Sequence, residues 1–250
     1  MKLAVVVSKK LSVNNPVVEF FLKKADEMGF SFELAGQNIP DGDVTVIFGG
    51  DGTVLDFAKK ASSPVVAVNM GRVGFLSQIA PKREDIENKL SRLMSGDFSL
   101  ASRVMLEAVS GKNSYTALND AVFAGSDRTK SVTLELSFGG SAMRLIGDGV
   151  IVSTPTGSTA YCMASGGPAV LSGGVLVATP IACSRPAVVV SDETVITIKP
   201  VSGNFTLHID GEIKEFSGEV VVKKSAEARD FVLFEDNFFA KLRHKISAEF

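Results

Sequence analysis

Short, largely apolar runs separated by helical spacing set the pattern of the first hundred residues. Residues 3–7 and 65–68 are continuous apolar stretches, and 44–48 is apolar apart from Thr45. That is the signature of strands buried on both faces of a parallel sheet. Between the first two, Asn15-Pro16 reads as an N-cap followed by proline at the first helical position. Val18, Phe21, Leu22 and Ala25 then recur at helical spacing, with Gly29 as the stop. Val54, Leu55, Phe57 and Ala58 predict a second, short helix. Residues 83–94 predict a third, with Ile86, Leu90 and Leu93 on one face and Gly96 behind it. Strands alternating with helices define an α/β domain with a parallel sheet.

The pattern changes near residue 98. Beyond it, short β-rich runs follow one another across glycine and polar turns: 103–110, 115–124, 132–138, 142–146, 150–153, 175–181, 194–198, 205–209, 219–222 and 231–234. That density predicts a layered, β-sandwich-like domain. One helix is expected inside it, over 158–165. A last helix is expected over 237–246, where Phe238, Phe239, Leu242 and Ile246 form an apolar face that would pack back on the first domain. The predicted division is therefore residues 1–98 with about 235–250 in the α/β domain, and 99–234 in the β-rich domain.

Composition narrows the setting. The chain has 250 residues, 45% hydrophobic and 22% charged, with a formal net charge of -2. No long-range field favours nucleic acid or an anionic membrane. No apolar run is long enough to span a bilayer, and five apolar residues before Ser8 are too few for a signal-peptide core. Two cysteines, Cys162 and Cys183, form no CxxC pair, and two histidines, His208 and His244, complete no zinc-ligand cluster. Buried free thiols point to a reducing compartment, so a cytoplasmic protein is expected.

The chemistry concentrates in four stretches. The first is the turn Gly49, Gly50, Asp51, Gly52 and Thr53, between a strand and a helix. Glycines there aim backbone N–H groups at an anion, and the helix start adds positive character. It is neither GxxxxGK[ST] nor GxGxxG. Asp51 has two readings: a helix N-cap, or an acid that handles a hydroxyl proton or a magnesium ion beside phosphate. In the second stretch, Gly71 and Gly74 flank Arg72, which is either a phosphate-binding cation or a solvated surface arginine. The third places Asn119 and Asp120 inside an apolar run, with Arg128 and Lys130 just downstream. They would bind a ribose or amide, or cap a neighbouring loop. The fourth runs from Asp148-Gly149 through Ser153, Thr154, Thr156, Ser158 and Thr159 to Tyr161. Hydroxyls at a helix start suit ribose and phosphate. No GxSxG occurs, and His208 lies in a strand-like run where a structural role fits, so acyl hydrolysis is set aside.

In this order, GGDGT at 49–53, NMGRVGFL at 69–76, LNDAV at 118–122, DGVIVSTPTGSTAY at 148–161 and GGP at 166–168 resemble the NAD kinase family. Its members use ATP or polyphosphate to phosphorylate the 2′-hydroxyl of the adenosine ribose of NAD. The resemblance covers most of the chain. It implies that Asp51 is the acid/base on that hydroxyl, with Gly52 beside the dinucleotide. Asn119, Asp120, Lys130, Asp148, Thr159, Ala160, Tyr161 and Ala164 would bind NAD, and Gly49, Gly50, Thr53 and Arg72 the phosphate donor. It further implies Mg2+ or another divalent cation arriving with ATP, no fixed metal site, and a homodimer or homotetramer. Three positions depart from the family pattern: Asp120 where Glu is usual, Ala164 where serine is common, and Glu212 where an amide is common. Other kinases with a GGDGT turn (lipid or sugar kinases) and a non-catalytic dinucleotide sensor are the alternatives. No apolar access segment for a lipid is present.

Overall fold

A computed structural model describes residues 1–72, 74–127, 129–235 and 240–243. The chain divides into two compact units, Met1–Ser102 with Arg229–Phe250, and Arg103–Ala228.

In the first unit, strands β1 (Lys2–Val7), β2 (Ser31–Leu34), β3 (Val44–Gly49) and β4 (Val65–Asn69) pair in parallel in the order β2-β1-β3-β4. Helix α1 (Pro16–Glu27) links β1 to β2, α2 (Asp51–Ala58) links β3 to β4, and α3 (Arg83–Ser95) follows β4. The sequence dictates these bounds locally. The Asn15 side chain accepts the Val17 N–H at 3.0 Å ahead of Pro16, closing the start of α1. Gly96 ends α3 at φ 73°. Val5, Val46, Phe48 and Val68 meet Phe21, Ile86 and Leu90 in one core, where Phe21 stands edge-on to Phe48 at 5.1 Å. Strand β2 was not anticipated. It is a mostly exposed edge strand whose Ser-Phe-Glu-Leu sequence lacks an apolar run.

The second unit contains most of the remaining strands: β5 (Ser99–Ser110), β6 (Asn113–Ala117), β7 (Asp120–Gly125), β8 (Val132–Phe138), β9 (Ser141–Gly147), β10 (Gly149–Ser153), β11 (Val175–Ile181), β12 (Val188–Ser191), β13 (Ile196–Ser202), β14 (Phe205–Ile209), β15 (Glu212–Lys214) and β16 (Val220–Leu233). Six of them form an antiparallel sheet in the order β12-β11-β10-β7-β14-β15. Strands β9, β8, β13 and the start of β16 form an antiparallel layer against it. Alternation along β10 divides the packing. Val150 and Val152 enter the core between the layers with Phe123, Leu134, Leu136 and Ile198, while Ile151 turns to the opposite face and meets Val122, Val177 and Cys162. Cys162 sits on the short helix α4 (Tyr161–Ala164), so that helix covers the outer face.

Several elements differ from the pattern reading, each for a physical reason. The run 115–124 is two strands, because Leu118 and Asn119 form a bend. The helix expected over 158–165 is a 3-10 turn, Gly157–Thr159, and then α4, broken at Ala160 with φ -99° and ψ -121°. The runs 219–222 and 231–234 belong to one strand, β16, which continues through the polar segment between them. The strand expected over 194–198 begins at Ile196 and extends to Ser202. In the C-terminal stretch, 240–243 are helical, whereas Phe238, Phe239, His244 and Ile246 lie outside the described residues. Among the described residues no helix is long and apolar enough to cross a membrane.

Candidate active site

Asp51 is not the N-cap of α2. Gly50 occupies that position, extended at φ -88° and ψ 177°, and no side chain caps the helix. Asp51 is the first helical residue, and its carboxylate is held from another loop. Phe75 N–H donates to Oδ2 at 3.0 Å and Leu76 N–H to Oδ1 at 3.1 Å. Each oxygen keeps further acceptor capacity. Position at the first turn adds the favourable field of the helix start. The capping reading therefore gives way to a fixed, half-buried carboxylate with both oxygens engaged by main-chain donors.

The turn around it is tight. A Cβ on Gly49 would lie 2.5 Å from the Thr53 side chain, so only glycine fits there. Thr53 Oγ1 donates to Ser8 Oγ at 3.2 Å, and Met70 N–H donates to Gly49 O at 3.0 Å, which ties the turn to the next loop. Gly52, by contrast, is exposed, and a Cβ there would meet nothing within 4 Å. In the loop after β4, Asn69 Oδ1 accepts Gly71 N–H at 2.9 Å, and Arg72 is exposed. Val73, within NMGRVGFL, lies outside the described residues.

In the second unit, two of the motifs close on each other. Asp210 follows β14 at φ 48° and accepts three backbone N–H groups: Leu118 at 2.9 Å, Asn119 at 2.8 Å and Asp120 at 3.1 Å. Its own N–H donates to Asp120 O at 3.0 Å. This exchange makes the bend that interrupts the predicted strand. Thr154 fastens the STPTG loop to the same bend. Its N–H donates to Asn119 O at 2.9 Å, its Oγ1 donates to Leu118 O at 2.6 Å, and that Oγ1 accepts Gly157 N–H at 3.0 Å. The loop lies so close that a Cβ on Gly157 would stand 2.2 Å from Asn119 O.

The hydroxyl-rich stretch consequently serves the loop itself more than its composition suggests. Thr154 is the staple. Ser158 Oγ donates to Pro155 O at 2.7 Å and accepts Val170 N–H at 2.9 Å. Thr156 Oγ1 accepts from Arg103 at 3.3 Å. Ser153 Oγ is buried without a hydrogen-bond partner among the described residues. What faces outward is different: Tyr161 is 46% exposed at the start of α4, Ala164 is exposed one turn on, and Ala160 is half-buried. Thr159 is buried. Asp148 is exposed at the bend between β9 and β10. Lys130 is exposed and pairs with Asp127 at 3.4 Å within one turn, and Arg128 lies outside the described residues. Glu212 pairs with Lys214 at 2.6 Å. His208 Nε2 meets Thr206 Oγ1 at 2.9 Å within β14, as a structural histidine would.

Asp120 is 6% exposed, and its pKa rises from 3.8 to about 7, first through burial and then through the nearby Asp210 carboxylate. A carboxyl whose folded pKa lies above its unfolded value loses stability as pH climbs between the two values. The loss is complete, and constant, above about pH 7. Asp120→Asn should therefore melt higher than the parent at pH 8, by on the order of 2 kcal/mol, and show no such gain at pH 4. Thermal melts at the two pH values check this.

Among the described residues no group of three or more His, Cys, Asp or Glu side chains is arranged to hold a metal ion. Sequence reasoning missed three contributors: Asp210, the amides of Phe75 and Leu76, and Lys241. The Asp-Gly pair after an apolar strand was a signal for Asp210. Backbone donors leave no signal in a sequence.

Comparison with known proteins accords with both units. Residues 25–98 match the ATP-NAD kinase N-terminal domain and residues 118–234 the ATP-NAD kinase C-terminal domain. The NAD kinase of Treponema denticola is 37% identical over 250 residues, spanning 92% of this chain and 86% of that protein. The crystal structure of an NAD kinase from Archaeoglobus fulgidus in complex with ATP aligns with a TM-score of 0.83 at 27% identity, over 97% of this chain and 99% of that one. Yeast NADH kinase, solved with NADH, shares the fold, with a TM-score of 0.84 at 21% identity over 99% of this chain and 87% of that one. The α/β unit with its glycine turn and the β-rich unit are those of a kinase. The chain belongs to the NAD kinase family, and its function is that of an NAD kinase.

Proposed function

We propose that this chain transfers the terminal phosphoryl group of ATP to the 2′-hydroxyl of the adenosine ribose of NAD, giving NADP and ADP, with Asp51 as the base. The observation that carries this reading is the Asp51 carboxylate, fixed by the Phe75 and Leu76 N–H groups at the head of α2. Phosphoryl transfer depends on positioning and charge neutralisation more than on covalent help. A carboxylate that cannot swing away aligns a hydroxyl by accepting its hydrogen bond. It takes the proton as the ribose oxygen bonds to phosphorus and the bond to ADP breaks.

The donor's phosphates fall to the backbone of Gly49, Gly50 and Thr53 and to the exposed Arg72. Mg2+ enters as part of the donor, bound by phosphates and water, as this cation prefers. It supplies charge neutralisation on the phosphates. A single carboxylate with both oxygens already accepting amide protons does not make a cage, so no protein site for the ion is assigned.

NAD falls to Gly52, Asn119, Asp120, Asp148, Thr159, Ala160, Tyr161 and Ala164. The exposed Tyr161 ring offers a face for adenine, with Ala164 exposed one turn on. Lys130 reaches the dinucleotide only by leaving Asp127, an exposed pair that solvent screens and that is readily broken. Polyphosphate in place of ATP, assembly as a homodimer or homotetramer, and a cytoplasmic location belong to the same reading.

The test is direct. The chain is incubated with NAD and MgATP, or with polyphosphate, and NADP is read with an NADP-specific dehydrogenase. NADP formation is the expected result. NAD binding without NADP from either donor would make the protein a dinucleotide sensor and overturn the proposal.

A further inference from the structure

The loop that grips Asp51 is itself gripped from behind. Lys241, in the C-terminal helical turn, donates through Nζ to Phe75 O at 3.1 Å and to Ser77 O at 2.5 Å. The Phe75 carbonyl and the Leu76 N–H belong to one peptide group. That N–H is the donor to Asp51 Oδ1 at 3.1 Å. A trans peptide points its C=O and N–H in opposite directions. The result is a chain of two hydrogen bonds through one peptide: ammonium to carbonyl, then N–H to carboxylate, with a cation at one end and an anion at the other. Hydrogen bonds linked in this way polarise one another.

Ser77 Oγ is buried without a hydrogen-bond partner among the described residues, so that side chain does not anchor the loop. A cavity of about 250 Å³ lies behind, bordered by Ser77, Gln78, Asp85, Lys89 and Lys241. Phe234 N–H donates to Gln78 Oε1 at 3.3 Å. Leu76 is buried at 6% exposure, so its side chain and the Lys241 ammonium hold the Phe75–Leu76 peptide together.

We propose that Lys241 is a positioning residue for the phosphoryl transfer, orienting the Asp51 carboxylate through the Phe75–Leu76 peptide. This rests on the reading of Asp51 as the base. Lys241→Met should lower kcat about 10-fold, the size of one net hydrogen bond to a charged group. NAD affinity should stay within about 2-fold, since Lys241 is not assigned to NAD. Lys241→Arg, which can still donate to both carbonyls, should recover most of the rate.

The deciding measurement is a double-mutant cycle in the full chain. With the base removed in Asp51→Asn, adding Lys241→Met should cost little further rate. An equal loss in both backgrounds, or an unchanged kcat in Lys241→Met, overturns the inference. Full turnover by Asp51→Asn alone would instead overturn the base assignment, so the two failures are distinguishable. Should Lys241→Met not fold, Lys241→Leu, which also removes the donor, carries the same cycle and the same outcomes apply.

Discussion

Asp51→Asn is expected to bind NAD much as the parent does and to form NADP at least about 100-fold more slowly. The amide matches the carboxylate in shape but cannot take a proton, so the base contribution disappears while the surroundings remain. The contacts predict a second, smaller effect. Both Asp51 oxygens accept backbone N–H groups. The new NH2 group must face one of these donors, from Phe75 or Leu76, and that bond is lost. The penalty is about 1–3 kcal/mol for a donor left unpaired in a partly buried site. The variant should melt lower than the parent, and its rate is to be measured where it is still fully folded. NAD titration gives the affinity, and steady-state NADP formation gives kcat. Unchanged turnover in a folded Asp51→Asn removes Asp51 from the mechanism.

Legibility in the sequence followed burial. The runs 44–48 and 65–68 became β3 and β4 almost residue for residue, because strands buried on both faces admit little but apolar side chains. Runs 132–138, 175–181 and 205–209 were equally plain. Edge positions were not. Strands β2 and β15 owe their conformation to backbone pairing with a neighbour, and their largely exposed side chains keep no clear period, whereas β12 alternates half-buried and exposed residues with only three apolar residues in the strand. The middle of β16, Lys223 to Asp230, is polar for the same reason.

The site divided along a similar line. Asp51, Asn119 and the STPTG loop were visible as motifs because glycines, acids and hydroxyls are rare together in apolar surroundings. What holds them was not visible. The donors to Asp51 are main-chain groups 24 and 25 residues away, and the acceptor that bends the chain at Asn119 lies 91 residues away. Hydroxyls that looked free to meet a ligand, such as Thr154 and Ser158, turned out to fasten their own loop. Composition registers that a polar group is present. It does not register which partner claims it.

Asp210 carries the largest stability prediction. Its carboxylate takes three backbone N–H groups at one bend, of which Leu118 is fully buried and Asp120 is 6% exposed. In Asp210→Ala the two buried donors lose their acceptor, and the half-exposed Asn119 N–H turns to water. At about 1–3 kcal/mol for each unsatisfied donor, the loss is roughly 2–6 kcal/mol, or a fall in Tm of about 4–24 °C. Backbone strain adds to it, since Asp210 sits at φ 48°, which alanine tolerates less well than aspartate. Asp210→Gly separates the two contributions, because glycine adopts that φ freely and still offers no acceptor. A Gly variant as unstable as the Ala variant assigns the effect to the hydrogen bonds. Near-parental stability in Asp210→Gly would assign it to strain. The pH dependence gives a further check: removing the Asp210 charge eases the ionisation of Asp120, so both variants should be less impaired at pH 8 than at pH 5. The bend also carries Asn119, and Thr154 fastens the STPTG loop to it through Leu118 O and Asn119 O. Loosening it should raise the KM for NAD more than it lowers kcat. A parental melting curve for Asp210→Ala would mean that these three N–H groups find other acceptors, and that the bend does not depend on Asp210.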